Sequence, residues 1–101
     1  MNRAEKLFLE WSKHCPTDVP VEEFDILVRH FLGRWLEVKK GSSHRYHVTH
    51  EVLTGVSYNS GFNTLTISVV GGRKVRDVYV RNTLKAIRDI YEAENLPLPE
   101  E

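Results

Sequence analysis

The sequence is poor in the features that define several classes of protein. It has one cysteine, Cys15, which cannot close an internal disulfide or supply a second thiolate to a metal, a usage that suits a reducing compartment. It has no apolar run long enough to span a bilayer, and "MNRAEKLFLEWSK" lacks the unbroken apolar core of a signal peptide. No repeat, low-complexity tract or linker interrupts the chain. A single soluble, cytoplasmic domain spanning residues 1–101 is expected, with no membrane partner and no cofactor.

Net charge is also missing, but only in the sum. Residues 1–33 carry four basic and six acidic side chains, residues 34–88 ten and three, and residues 89–101 none and five. The middle of the chain is therefore a candidate surface for a polyanion, and the acidic end is not.

The apolar residues set the fold. Ala4, Leu7, Phe8 and Trp11 share one face of a helix over about Arg3 to Lys13, which "CPTDVP" breaks. Phe24, Leu27, Val28 and Phe31 repeat that spacing over Val21 to Leu32, with Glu22 and Glu23 in the first turn and Gly33 at the end. From Arg34 the period falls to two: "RWLEVKKG", "SSHRYHVT" and "TLTISVV" read as three antiparallel strands. "EVLTGVSYNSGFN" is a long hairpin connection or an extension of the strands, and Gly71-Gly72 ends the third strand. Beyond "RKVRD", Val80, Leu84, Ile87 and Tyr91 return to helical spacing as far as about Glu94. The order α-α-β-β-β-α predicts an α+β two-layer sandwich with helices on one face of the sheet. The other face is expected to be partly open and to carry Arg45, Thr49 and their neighbours.

"KKGSSHRYHVTH", residues 39–50, concentrates the candidate chemistry. His44, His47 and His50 are three apart, so on a regular strand adjacent members point to opposite faces, and without a bulge they do not share a metal ion. Ser42 and Ser43 beside His44 do not form a nucleophile elbow. Metal-free RNA cleavage needs less. The RNA 2′-hydroxyl is the nucleophile, so the protein supplies a base that titrates near neutrality and cations for the phosphate. A histidine beside Lys39, Lys40 and Arg45, with Arg73, Lys74 and Arg76 as a second cationic group, meets that need. The alternative is that His44 is a polar residue at a strand start, bonded to backbone.

"VEEFDILVRHFLGRWLEVKKGSSHRY" followed by "TLTISVVGGRKVRDVYVRNTLKAIRDIYE" resembles the HicA-type toxins of HicA–HicB toxin–antitoxin systems, over residues 17–95. The Gly-Ser-(Ser)-His element and "KVRDVYVRNTLKAI" carry the likeness; residues 1–16 and the acidic 96–101 lie outside it. The resemblance implies a fold like a double-stranded-RNA-binding domain, an mRNA endonuclease that acts without metal, and a HicB-type antitoxin as partner. It implies that Gly41 and Ser42 or Ser43 form the motif turn and that His44 is catalytic; the RNA role of Lys39, Lys40, Arg45 and Lys74 rests on charge. The commonest motif has histidine directly after Gly-Ser, one residue earlier than here. Strand alternation would place His44 with Tyr46 and Val48, so a bulge at Ser42-Ser43 is expected to re-aim it; otherwise His47 is the base. A non-catalytic RNA-binding module and an interaction protein whose basic face meets an acidic partner are the competing readings.

Overall fold

In the computed structural model, residues 1–100 are described. Helix α1, Arg3–Lys13, opens on a reciprocal cap: Asn2 Oδ1 accepts from the Glu5 amide at 2.9 Å, and the Asn2 amide donates to the Glu5 carboxylate at 3.0 Å. Its Ala4, Leu7, Phe8 and Trp11 are all buried. Helix α2, Val21–Leu32, receives that stripe, with Phe8 and Phe31 ring centres 5.1 Å apart and an Arg3–Glu23 ion pair. The first helix is therefore part of the core.

Gly33 ends α2 without a left-handed residue. Its φ of −52° and ψ of −36° are helical, and the chain tightens into a 3-10 turn, Gly33–Trp35, before the sheet begins. Trp35, expected on a strand, lies in that turn.

The sheet order is β2-β3-β4, all antiparallel, from Leu36–Val38, His44–Thr49 and Thr64–Ser68. Tyr46, Val48, Leu65 and Ile67 are buried on the side covered by helices, together with α3, Asp77–Ala93. This is the expected α+β two-layer arrangement, consistent with a fold like a double-stranded-RNA-binding domain. The segment between β3 and β4 is a connection with its own 3-10 turn, Glu51–Leu53, whose Leu53 is fully buried. No helix among the described residues is long and apolar enough to cross a membrane.

A second sheet was not anticipated. β1, Asp18–Pro20, pairs antiparallel with β5, Lys74–Arg76. Pro20 ends its strand, where its missing N–H costs no ladder bond, and the next amide, Val21, donates to Arg73 O at 2.8 Å. β5 is reached through Gly71 and Gly72, at φ 59° and 70°, with the Arg73 amide donating to Val70 O at 3.0 Å. Two successive left-handed residues are what a type I′ hairpin turn requires, and glycine adopts them without strain.

Candidate active site on the open sheet face

The register of β3 on β4 slips once. Thr49 faces Thr64, Val48 faces Leu65, His47 faces Thr66 and Tyr46 faces Ile67, but His44 faces Ser68, so Arg45 is an extra residue in β3. A bulge of this kind re-aims a side chain by half a period. His44 consequently leaves the Tyr46–Val48 face and joins His47 on the open side of the sheet. The irregularity sits at Arg45 and not at Ser42-Ser43, because both serines are committed elsewhere. Ser42 Oγ accepts the His44 amide at 3.2 Å, and Ser43 O continues the ladder by accepting the Val69 amide at 2.8 Å.

Each open-face residue of β3 meets its partner on β4. Thr49 and Thr64 hydroxyls are 3.0 Å apart, His47 Nδ1 is 3.4 Å from the Thr66 hydroxyl, and His44 Nδ1 is 3.0 Å from the Ser68 hydroxyl. These hydroxyls were visible in the sequence as polar alternates of "TLTIS", but their pairing with the histidines depends on the bulge.

The bonds separate the three histidines. His50 Nδ1 accepts the Val52 amide at 3.0 Å and Nε2 meets Glu94 at 2.9 Å, so it caps the 3-10 turn and ties the sheet to the end of α3. His47 Nε2 must donate at 2.8 Å, since its partner is the His44 carbonyl oxygen, and the bond braces the bulge from three residues away. His44 is exposed, and its bond to Ser68 uses Nδ1. That leaves Nε2 facing solvent with no protein partner among the described residues.

Exposed cations lie on the turns at one end of this sheet. Lys39 and Lys40 are exposed at the β2–β3 turn, which Gly41 closes at φ 85° and the Lys39 amide ties to Arg45 O at 2.7 Å. Because Ser43 pairs with Val69, the Gly71-Gly72 turn and Arg73 lie beside the same hairpin. Arg73 and Arg76 are exposed and form no ion pair among the described residues, whereas Lys74 Nζ is 3.4 Å from Asp18.

Arg45 is a correction. It was expected on the open face with His47; the bulge turns it to the α2 side, where it lines an open groove of about 420 Å³ with Val21, Glu22, Asp25, Ile26 and Tyr46. Its Nε is buried without a hydrogen-bond partner, and its guanidinium lies beside the Tyr46 phenol. In the same corner the Tyr46 hydroxyl donates to Asp25 at 2.7 Å, and burial followed by that bond pushes its pKa up.

No group of three His, Cys, Asp or Glu side chains among the described residues is placed to hold a metal ion. Cys15 is partly buried, and desolvation pushes its thiol up against the opposing effect of Arg81. Compared with known proteins, the chain matches no family model, no curated protein and no solved structure.

Proposed function

We propose that this chain is a metal-independent endoribonuclease, the toxin of a pair of the HicA–HicB kind, with His44 as general base. The observation that carries the reading is the state of one imidazole: Nδ1 bonded to Ser68, Nε2 open to solvent, and unpaired cations at the same end of the face. Nε2 takes the proton of an RNA 2′-hydroxyl, and the resulting alkoxide attacks the adjacent phosphorus. The P–O5′ bond breaks, leaving a 2′,3′-cyclic phosphate and a 5′-hydroxyl that takes a proton from water or a lysine. Lys39, Lys40 and Arg73 offset the charge that builds on the phosphoryl oxygens. Arg76 and Lys74 extend the cationic rim along the second sheet, and Gly41, Ser42 and Ser43 form the turn that carries His44. A HicB-type antitoxin is the expected partner, covering this face.

The test is cleavage of mRNA in EDTA by the wild type and by His44→Ala, with a loss of about 100- to 10,000-fold expected. Equal rates remove His44 from the mechanism. RNA bound in a salt-dependent way but left intact by the wild type identifies a binding module instead.

A further inference from the structure

Phe62 is placed at a cost that the protein itself does not recover. Its φ is +64°, a left-handed conformation that a bulky residue rarely adopts. It is also 76% exposed, so the ring gains almost nothing from burial. Glycine or asparagine would fit the backbone better, and any polar residue would suit the surface better.

The conformation is fixed by its neighbours. Asn59 Oδ1 accepts the Gly61 amide at 3.0 Å, and Asn59 Nδ2 donates to Leu53 O and to Phe62 O, both at 3.1 Å. The Thr64 amide closes the turn on Gly61 O at 3.1 Å. Gly61 admits no side chain, since a Cβ there would lie 2.5 Å from Thr64 O. The loop is therefore a rigid mount, anchored through Leu53 to the core, that holds an aromatic ring in water.

The mount stands at the far end of the sheet from His44. The β3–β4 ladder closes with the His50 amide on Asn63 O at 3.0 Å, one residue from Phe62. From Ser68, opposite His44, to Thr64 the strand covers roughly 13 Å, and Phe62 lies two residues beyond it in the turn. Between the two lies the row of hydroxyls on Thr64 and Thr66, a path with no charge of its own.

We infer that Phe62 is a stacking platform for an unpaired base of single-stranded RNA whose scissile phosphate lies at His44. The inference rests on the ribonuclease reading and specifies its substrate as unpaired RNA, several nucleotides of which lie along the open face. A rigid exposed aromatic binds any base face, because stacking is tolerant of sequence, and a duplex offers it no free base.

Binding of a 2′-O-methyl RNA strand, which lacks the attacking hydroxyl and stays intact, tests this with wild type, Phe62→Asn and Phe62→Trp. Phe62→Asn is expected to weaken binding about 5- to 100-fold while melting no lower than wild type, and Phe62→Trp to bind like wild type. One abasic nucleotide at the stacked position should weaken the wild type and leave Phe62→Asn unchanged. Binding of a duplex should be indifferent to all three residues. If wild type binds the strand and Phe62→Asn binds it equally well, the platform is wrong and the RNA reading stands; if wild type binds no RNA, both fall. A clear drop in the melting temperature of Phe62→Asn would show that the ring serves the fold, and would overturn the inference.

Discussion

His47 and His44 share a face, yet their hydrogen bonds give them different work, and His47→Ala measures the difference. The variant removes one bond, the 2.8 Å contact from Nε2 to the His44 carbonyl; the 3.4 Å contact to Thr66 is long enough to contribute little. A neutral hydrogen bond at a half-exposed site is worth about 0.5–1.5 kcal/mol net. If all of it holds His44 in place, cleavage slows about two- to tenfold at 1.36 kcal/mol per decade. His44→Ala removes the proposed base and should cost about 100-fold or more. Single-turnover cleavage of an RNA oligonucleotide separates the two: His47→Ala should keep cleavage within about tenfold of the wild type, and His44→Ala should fall about 100-fold or more. His47→Gln, whose amide nitrogen can reach the same carbonyl, should restore most of the rate. A loss of 100-fold or more in His47→Ala, not restored by glutamine, would mean that His47 acts on the RNA and that the division of roles is wrong.

Leu7→Ala should cost about 2–5 kcal/mol in denaturant unfolding, because Leu7 is 1% exposed at the α1–α2 contact; a near-neutral result would make α1 an appendage. Gly33→Ala should stabilise by about 0.4–1 kcal/mol, since the site is helical and a Cβ meets nothing within 4 Å, whereas Gly72→Ala at φ 70° should destabilise by about 1–3 kcal/mol. Burial first, then the bonds to Asp25 and Asp89, hold the phenols of Tyr46 and Tyr58 above their ordinary 10.0. Their contribution is complete below pH 10 and is lost as pH rises toward the folded values, because the unfolded chain releases protons that the native state keeps. Melting temperature should therefore fall above pH 10, and less steeply in Tyr58→Phe than in the wild type.

The helices were legible because their stripes are complete: every apolar residue that defined α1 and α2 is buried. The three strands were legible from alternation, but not the turn that takes Trp35 out of the first. β1 and β5 were not legible. Three residues cannot show a period, and Pro16 and Pro20 in "CPTDVP" read locally as a break; only Lys74, Val75 and Arg76, far along the chain, provide the pairing that makes it a strand. The need for a bulge was visible in the conflict between His44 and Tyr46, but its position was not, because register is decided by β4. Phe62 gave no signal, since backbone strain in the 59–64 loop arises from Asn59 and Gly61 bonds that no periodicity encodes.

The small sheet also sets an order of events during synthesis. Asp18 meets its partner Arg76 only after most of the chain has been made, and the Thr17 carbonyl waits for the Asp77 amide, which it binds at 2.8 Å. Contacts so distant in sequence close late and slow folding relative to local ones. A nascent chain that has already made His44 and its lysines therefore lacks the turn that brings Arg73 beside them until the last helix is close behind. If this surface acts on RNA as proposed, topology defers its assembly until the Arg73–Asp77 segment has been made and paired.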